Sequence, residues 1–278
     1  VLMKKKSVLS AVVAYTILIT AAVLTLAPFS LSIMTALREP SDFLRQGPIH
    51  LPDPATFENF AALFTGPHSF VTPFAVTAQM VAVILVGQIV FSILAAYAFA
   101  YLQFPGRDLL FWAFIATLLV PQVVVVVPLF LAFQEMGLRN TFWALVLPFM
   151  FGSPYAVFLL RENFRSVPQE LLDAMRVDGA GHLRLIRNLV VPLNRPIIVT
   201  LVVITVVTHW NSFLWPLIIT TGDTWQTLTV ATSALSTQYN NNWTMVMAAT
   251  TLAMIPLILL YLVFQKQVAQ SIGGTELR

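Results

Sequence analysis

RENFRSVPQELLDAMRVDGAGHLRLIRNLVVPLNR, residues 161–195, is the long charged interruption of an otherwise apolar chain. It carries Arg161, Arg165, Arg176, Arg184, Arg187 and Arg195, six of the 15 basic residues. Of the 278 residues, 58% are hydrophobic and 10% charged. A soluble domain is about one-quarter charged, so this composition belongs to a membrane protein. A hydrocarbon core about 30 Å thick is crossed by roughly 20 helical residues at 1.5 Å each. Apolar runs of that order lie on both sides of the loop: 7–34, 73–101, 109–133 and 142–160 before it, 197–219 and 244–264 after it. The short alternating segments of a β-barrel are not seen.

The pattern predicts an all-α integral membrane protein with six transmembrane helices, the loop 161–195 joining spans 4 and 5, and one transmembrane domain over 1–278. The run 7–34 exceeds a signal-peptide core and reads as a retained first span. Proline and glycine punctuate the rest. Phe104-Pro105-Gly106-Arg107 reads as the turn after span 2. Pro121 and Pro128 kink span 3, and Pro148 with Gly152-Ser153-Pro154 breaks span 4. Between spans 1 and 2 lies a polar stretch with five prolines, from Pro40 to Pro67, and a short helix near 57–64.

Charge sets the orientation. Lys4, Lys5, Lys6, Arg107, the six loop arginines, Lys266 and Arg278 fall on one side of such a topology, whereas only Arg38, Arg45 and Arg139 fall on the other. By the positive-inside rule the loop and both termini are expected in the cytoplasm. Topology thus accounts for the net charge of +3, with no need of a nucleic-acid partner. The chain has no cysteine and four scattered histidines, so no disulfide, thiolate or histidine metal site is expected.

Within the loop, Ser166 and Gln169 have capping-box spacing, with Pro168 in the first turn. The helix they open passes through Glu170, Asp173, Ala174 and Met175 and stops at Gly179, past Asp178, where a left-handed residue suits glycine. A second helix over 182–190 places Leu183, Ile186, Leu189 and Val190 on one side and Arg184 and Arg187 on the other, a pattern suited to a membrane surface. Basic residues alone would also fit an anchoring loop on anionic headgroups. An acidic helix ended by glycine fits better a segment gripped by another protein.

Asp, Glu, Lys and Arg are absent from the interiors of the proposed spans, which weakens the alternative of an ion-gradient-driven secondary transporter of a neutral polar solute. Thr205, Thr208, His209 and Ser212 share one helical face and would suit a hydroxyl-rich solute on a substrate path. For any one of them, interhelical hydrogen bonding is the simpler use. Gln79 and Gln88 are nine residues apart and point to opposite faces.

The loop resembles the permease subunits of binding-protein-dependent ABC importers, in their carbohydrate, maltose-type branch. Their signature reads Glu-Ala-Ala, three residues, Gly, nine residues, Ile, one residue, Leu-Pro. Here Asp173-Ala174-Met175, Gly179, Leu189 and Val191-Pro192 stand at that spacing, with Asp173, Met175, Leu189 and Val191 departing from the consensus. Thr117 to Pro121, Val127-Pro128-Leu129, Gly137 to Thr141 and Trp210 to Leu217 are similar to the same family, with Ser212 where Glu is common.

The resemblance implies an importer that moves a sugar or sugar derivative by alternating access in a bacterial cell membrane. Glu170, Asp173, Ala174, Met175, Asp178, Gly179 and Pro192 would form the ATPase-coupling segment. ATP and Mg would be bound by the partner ATPase and no cofactor by this chain. In agreement, Lys4, Lys5, Lys6 and Lys266 all lack the preceding Gly of a P-loop. Implied partners are a second permease in a heterodimer, two copies of an ABC ATPase, membrane lipid and an extracytoplasmic substrate-binding protein. The polar tip Gln238, Tyr239, Asn240, Asn241 and Asn242 would touch the last of these.

Overall fold

In the computed structural model, residues 8–47, 49–66, 69–238 and 242–273 are described, and among them there are helices and no strands. In chain order the helices are α1 (Val8–Ala36), α2 (Pro40–Gln46), α3 (Glu58–Thr65), α4 (Val71–Tyr101), α5 (Arg107–Ala116), α6 (Gln122–Glu135), α7 (Phe142–Val146) and α8 (Pro154–Arg165). They continue with α9 (Gln169–Val177), α10 (His182–Leu185), α11 (Val191–Leu193), α12 (Arg195–Trp210), α13 (Leu214–Ile219), α14 (Leu228–Gln238) and α15 (Trp243–Gly273).

Three helical stretches are long and apolar enough to cross a membrane unbroken: Ser10–Ala36, Val71–Tyr101 and Trp243–Gln267. Two further stretches reach that length only as bent pairs, Arg107–Leu119 with Gln122–Glu135 at 101° and His182–Leu193 with Arg195–Trp210 at 84°. The first bend falls at Pro121, which caps α6 and follows an extended Val120. Proline disfavours a helical residue before it, and the chain turns where the sequence predicts a kink. Over 142–160 the chain forms α7 and the first part of α8, separated where Pro148 and Gly152-Ser153-Pro154 predict a break. Gly106 at φ 77° makes the expected turn before α5.

The residues group into two compact units, Val1–Phe70 with Ala231–Ile255, and Val71–Val230 with Pro256–Arg278. In the first, a polar knot ties the end of α1 to α3 and to the start of α15. Asn59 Nδ2 donates to the carbonyls of Ala36 and Arg38 at 2.8 Å each. Thr244 Oγ1 lies 3.0 Å from Asn59 Oδ1 and 2.8 Å from Asn242 Oδ1, so its one proton serves two acceptors. Arg38 is fully buried and satisfied by Asp42 at 2.8 Å and by the Gly47 carbonyl. A buried charge persists only when paired in this way.

The second unit is built on α4 and α8. Gly87 approaches the 147–153 break so closely that a Cβ would sit 2.4 Å from the Met150 carbonyl oxygen. Ser92 Oγ accepts from the Ser153 amide at 3.2 Å, and Ser153 in turn caps α8 by accepting from the Ala156 amide. Ala156, Val157, Leu160 and Phe164 line the buried face of α8 against Ala96 and Tyr97 of α4. At the far end Arg161 lays its guanidinium over the Phe111 ring, 4.0 Å from the centroid, and donates through Nε to the Phe99 carbonyl.

Candidate functional site

The loop 161–195 begins inside α8, which runs on to Arg165. Ser166 does not cap the next helix, contrary to expectation: its hydroxyl donates to the Asn163 carbonyl at 2.7 Å and closes α8. Pro168 takes the N-cap position of α9 with no side-chain bond. A serine three residues past an open carbonyl finds that acceptor locally, and the local bond wins over the capping box.

Helix α9 rests on one deeply buried side chain, Leu172, which joins Val167, Leu185, Ile186 and Val190 in the cluster formed with α4, α8 and Leu201 of α12. Met175 packs at its edge. Glu170, Asp173, Ala174 and Asp178 are exposed, as are Leu171 and Val177, the latter 88% accessible. Asp173 accepts from Gln169 and from Arg176, both at 3.0 Å, so its carboxylate is held at the helix surface. Gly179 stops the helix at φ 76°, as the sequence predicts, and the Ala180 amide returns to the Met175 carbonyl. The exposed face is short, acidic and apolar at once.

The second loop helix, expected as one piece over 182–190, is interrupted. After α10 comes a wide π turn over Ile186–Val190 before α11. Leu185, Ile186 and Val190 are buried, Leu189 is half-buried and Leu183 is 74% exposed. The wide turn departs from the 3.6-residue periodicity that sets Leu183, Ile186, Leu189 and Val190 on one side. Pro192 is exposed in the first turn of α11. Tyr97 Oη meets His182 Nδ1 at 2.9 Å, fastening the start of α10 to α4, and Tyr101 Oη donates to the Phe164 carbonyl.

A cavity of about 200 Å³ lies between the α6 and α12–α13 segments, lined by Gln122, Val126, Phe149, Thr208, His209 and Ser212 among others. Three of the four residues expected on one face therefore come together. Thr205 does not line the cavity: it is buried and donates to Gln88 Oε1 at 2.8 Å. The His209 ring packs against Phe149, with centroids 5.3 Å apart. Gln122 and Phe149 were missed as lining residues. Gln122 was visible as a polar residue after Pro121, but nothing in the sequence placed it opposite α12.

At the other candidate contact, Tyr239, Asn240 and Asn241 lie outside the described residues, as does the side chain of Gln238. Asn242 caps α15, its Oδ1 accepting from the Met245 amide at 3.3 Å.

Residues 88–274 match the family described as the binding-protein-dependent transport system inner membrane component. The chain belongs to that family. It is thus a membrane-embedded transport subunit rather than an enzyme, and family membership does not favour an ion-gradient-driven carrier. The sn-glycerol-3-phosphate transport system permease protein UgpE of Yersinia pestis is 33% identical over 270 residues, 93% of this chain and 94% of that one. The diacetylchitobiose uptake system permease protein NgcG of Streptomyces coelicolor is 31% identical over 275 residues, 96% and 89% of the two chains. The arabinooligosaccharides transport system permease protein AraQ of Halalkalibacterium halodurans is 29% identical over 248 residues, 88% of each. In fold, the chain is similar to a solved chain of a bacterial ABC transporter involved in the import of the acidic polysaccharide alginate, with TM-score 0.82 at 21% identity over 96% of this chain and 99% of that one.

Proposed function

We propose that this family member is the permease subunit of an ATP-driven ABC importer for a sugar or sugar derivative, driven through the loop 161–195. The observation that carries the reading is α9 itself. Only Leu172 is deeply sunk in the cluster, while Glu170, Asp173, Ala174 and Asp178 face outward beside exposed Leu171 and Val177. A helix of nine residues with that surface gains little alone and is suited to a cleft in a partner.

In this reading residues 1–278 form one permease domain with six crossings, the bent pairs and the α7–α8 segment supplying those that are not continuous helices. Both termini and the loop are cytoplasmic. Glu170, Asp173, Ala174, Met175, Asp178, Gly179 and Pro192 form the contact with one of two copies of an ABC ATPase, which binds ATP and Mg. A second, different permease completes the membrane path, and a substrate-binding protein meets the outer side at 238–242. Nucleotide-driven closure of the ATPases alternates the access of the path.

The cavity supports a hydroxyl-rich solute. Gln122, Thr208, His209 and Ser212 offer donors and acceptors, Phe149 and Trp215 offer flat apolar walls, and among the described residues Asp, Glu, Lys and Arg are absent from its lining. The names of the relatives support a saccharide, two of them being permeases for oligosaccharides. Purification from native membranes tests the reading. An ABC ATPase and a binding protein carrying a saccharide are expected to co-purify; recovery of the chain without any ATPase would contradict it.

A further inference from the structure

One side chain on α4 is bonded to two neighbours of the cavity. Gln88 sits on α4 with both ends of its carboxamide engaged: Oε1 accepts from Thr205 of α12 at 2.8 Å, and Nε2 donates to the Phe149 carbonyl at 3.4 Å. Both partners adjoin the cavity. Phe149 lines it, and Thr205 lies one helical turn before His209, which lines it too. The 147–153 break that contains Phe149 is clamped to α4 at Gly87 and Ser92, and its end is the cap of α8. Helix α8 is joined to α9 by the three-residue turn 166–168, and its buried face shares one cluster with Leu172. Nine residues along α4 from Gln88, about 13.5 Å at 1.5 Å per residue, Tyr97 is fastened to the loop through His182.

We propose that α4 and α8 move as one rod, and that Gln88 is the positioning residue through which displacement of the loop reaches the cavity wall at Phe149 and Thr205. This rests on the reading of the loop as the ATPase contact. The physical basis is that the rod is tied to the loop by the apolar cluster and the Tyr97–His182 bond, and to α12 beside the cavity by the directional Gln88–Thr205 bond. In an apolar surrounding a carboxamide seeks such partners, and here the side-chain hydroxyl of Thr205 is one of them. Loss of either group leaves α9 and the Gly87 and Ser92 contacts in place and removes the side-chain link from α4 to α12 beside the cavity.

The absence of native cysteine makes the test direct. Val123 lines the cavity and is 69% exposed, so V123C supplies a single thiol there. In the assembled transporter, with its ATPase and binding protein in proteoliposomes, the rate of labelling by N-ethylmaleimide is compared without nucleotide and with ATP plus vanadate. The two rates are expected to differ by about fivefold or more. Adding Gln88→Leu or Thr205→Val should bring the ratio to near one, and Thr205→Ser, which keeps the hydroxyl, should restore it. A role in folding alone would lower the yield of assembled transporter and leave the ratio of what assembles unchanged. A nucleotide response that survives both substitutions overturns the inference alone. Equal rates with and without nucleotide in the V123C parent overturn the inference together with the reading it rests on.

Discussion

Gly179 carries the most specific expectation at the level of single residues. Its φ of 76° lies in the left-handed region, and a Cβ added there would meet nothing within 4 Å. The cost of substitution is therefore in the backbone and not in a clash, about 1–2 kcal/mol for Gly179→Ala. That is small beside the stability of a packed bundle but falls on the stop of α9, the proposed coupling helix. Gly179→Ala should leave membrane abundance normal and reduce ATP-driven uptake, and Gly179→Asn should retain more, since Asn visits the left-handed region more readily. Immunoblotting and vesicle uptake measure the two effects; uptake equal to the parent in both variants would remove the helix stop from the mechanism. This residue was legible because glycine answers a local backbone demand. Gln88 was legible only as a polar residue in a span, because its partners Thr205 and Phe149 are distant in sequence and met through tertiary packing.

Among the elements, α8 and α9 illustrate how local rules compete. Two serines, Ser153 and Ser166, each precede a helix by the right interval, yet only Ser153 acts as a cap. Ser153→Ala should therefore destabilise the permease by about 1 kcal/mol, while Ser166→Ala should change its melting in detergent by less than half as much. Equal effects of the two would contradict the assignment of caps. The breaks at Gly106, Pro121 and 147–153 were legible, since proline and glycine act on the chain at their own positions. The π turn over Ile186–Val190 and the burial of Leu185 were not, because neither leaves a mark in apolar spacing.

At the level of the whole molecule, charge and hydropathy placed the chain in a membrane, and the match over 88–274 places it in its family. Composition could not reveal the grouping into two compact units, nor which of the apolar runs are continuous: 8–34, 73–101 and 244–264 fall on unbroken helices, while 109–133 lies on a pair bent by 101°. Bending depends on where each segment finds partners for the backbone groups that proline frees. The measurement that bears most directly on the account is contact between α9 and the ATPase. Ala174 is exposed on α9 and the chain has no other thiol to compete, so Ala174→Cys can carry a benzophenone-maleimide label at one known place. In native membranes, light should join the permease to the ABC ATPase from position 174 and not from Asn242→Cys. Sustained ATP-driven uptake by the Ala174→Cys transporter with no ATPase adduct from position 174 would contradict the claim that this loop is the coupling segment.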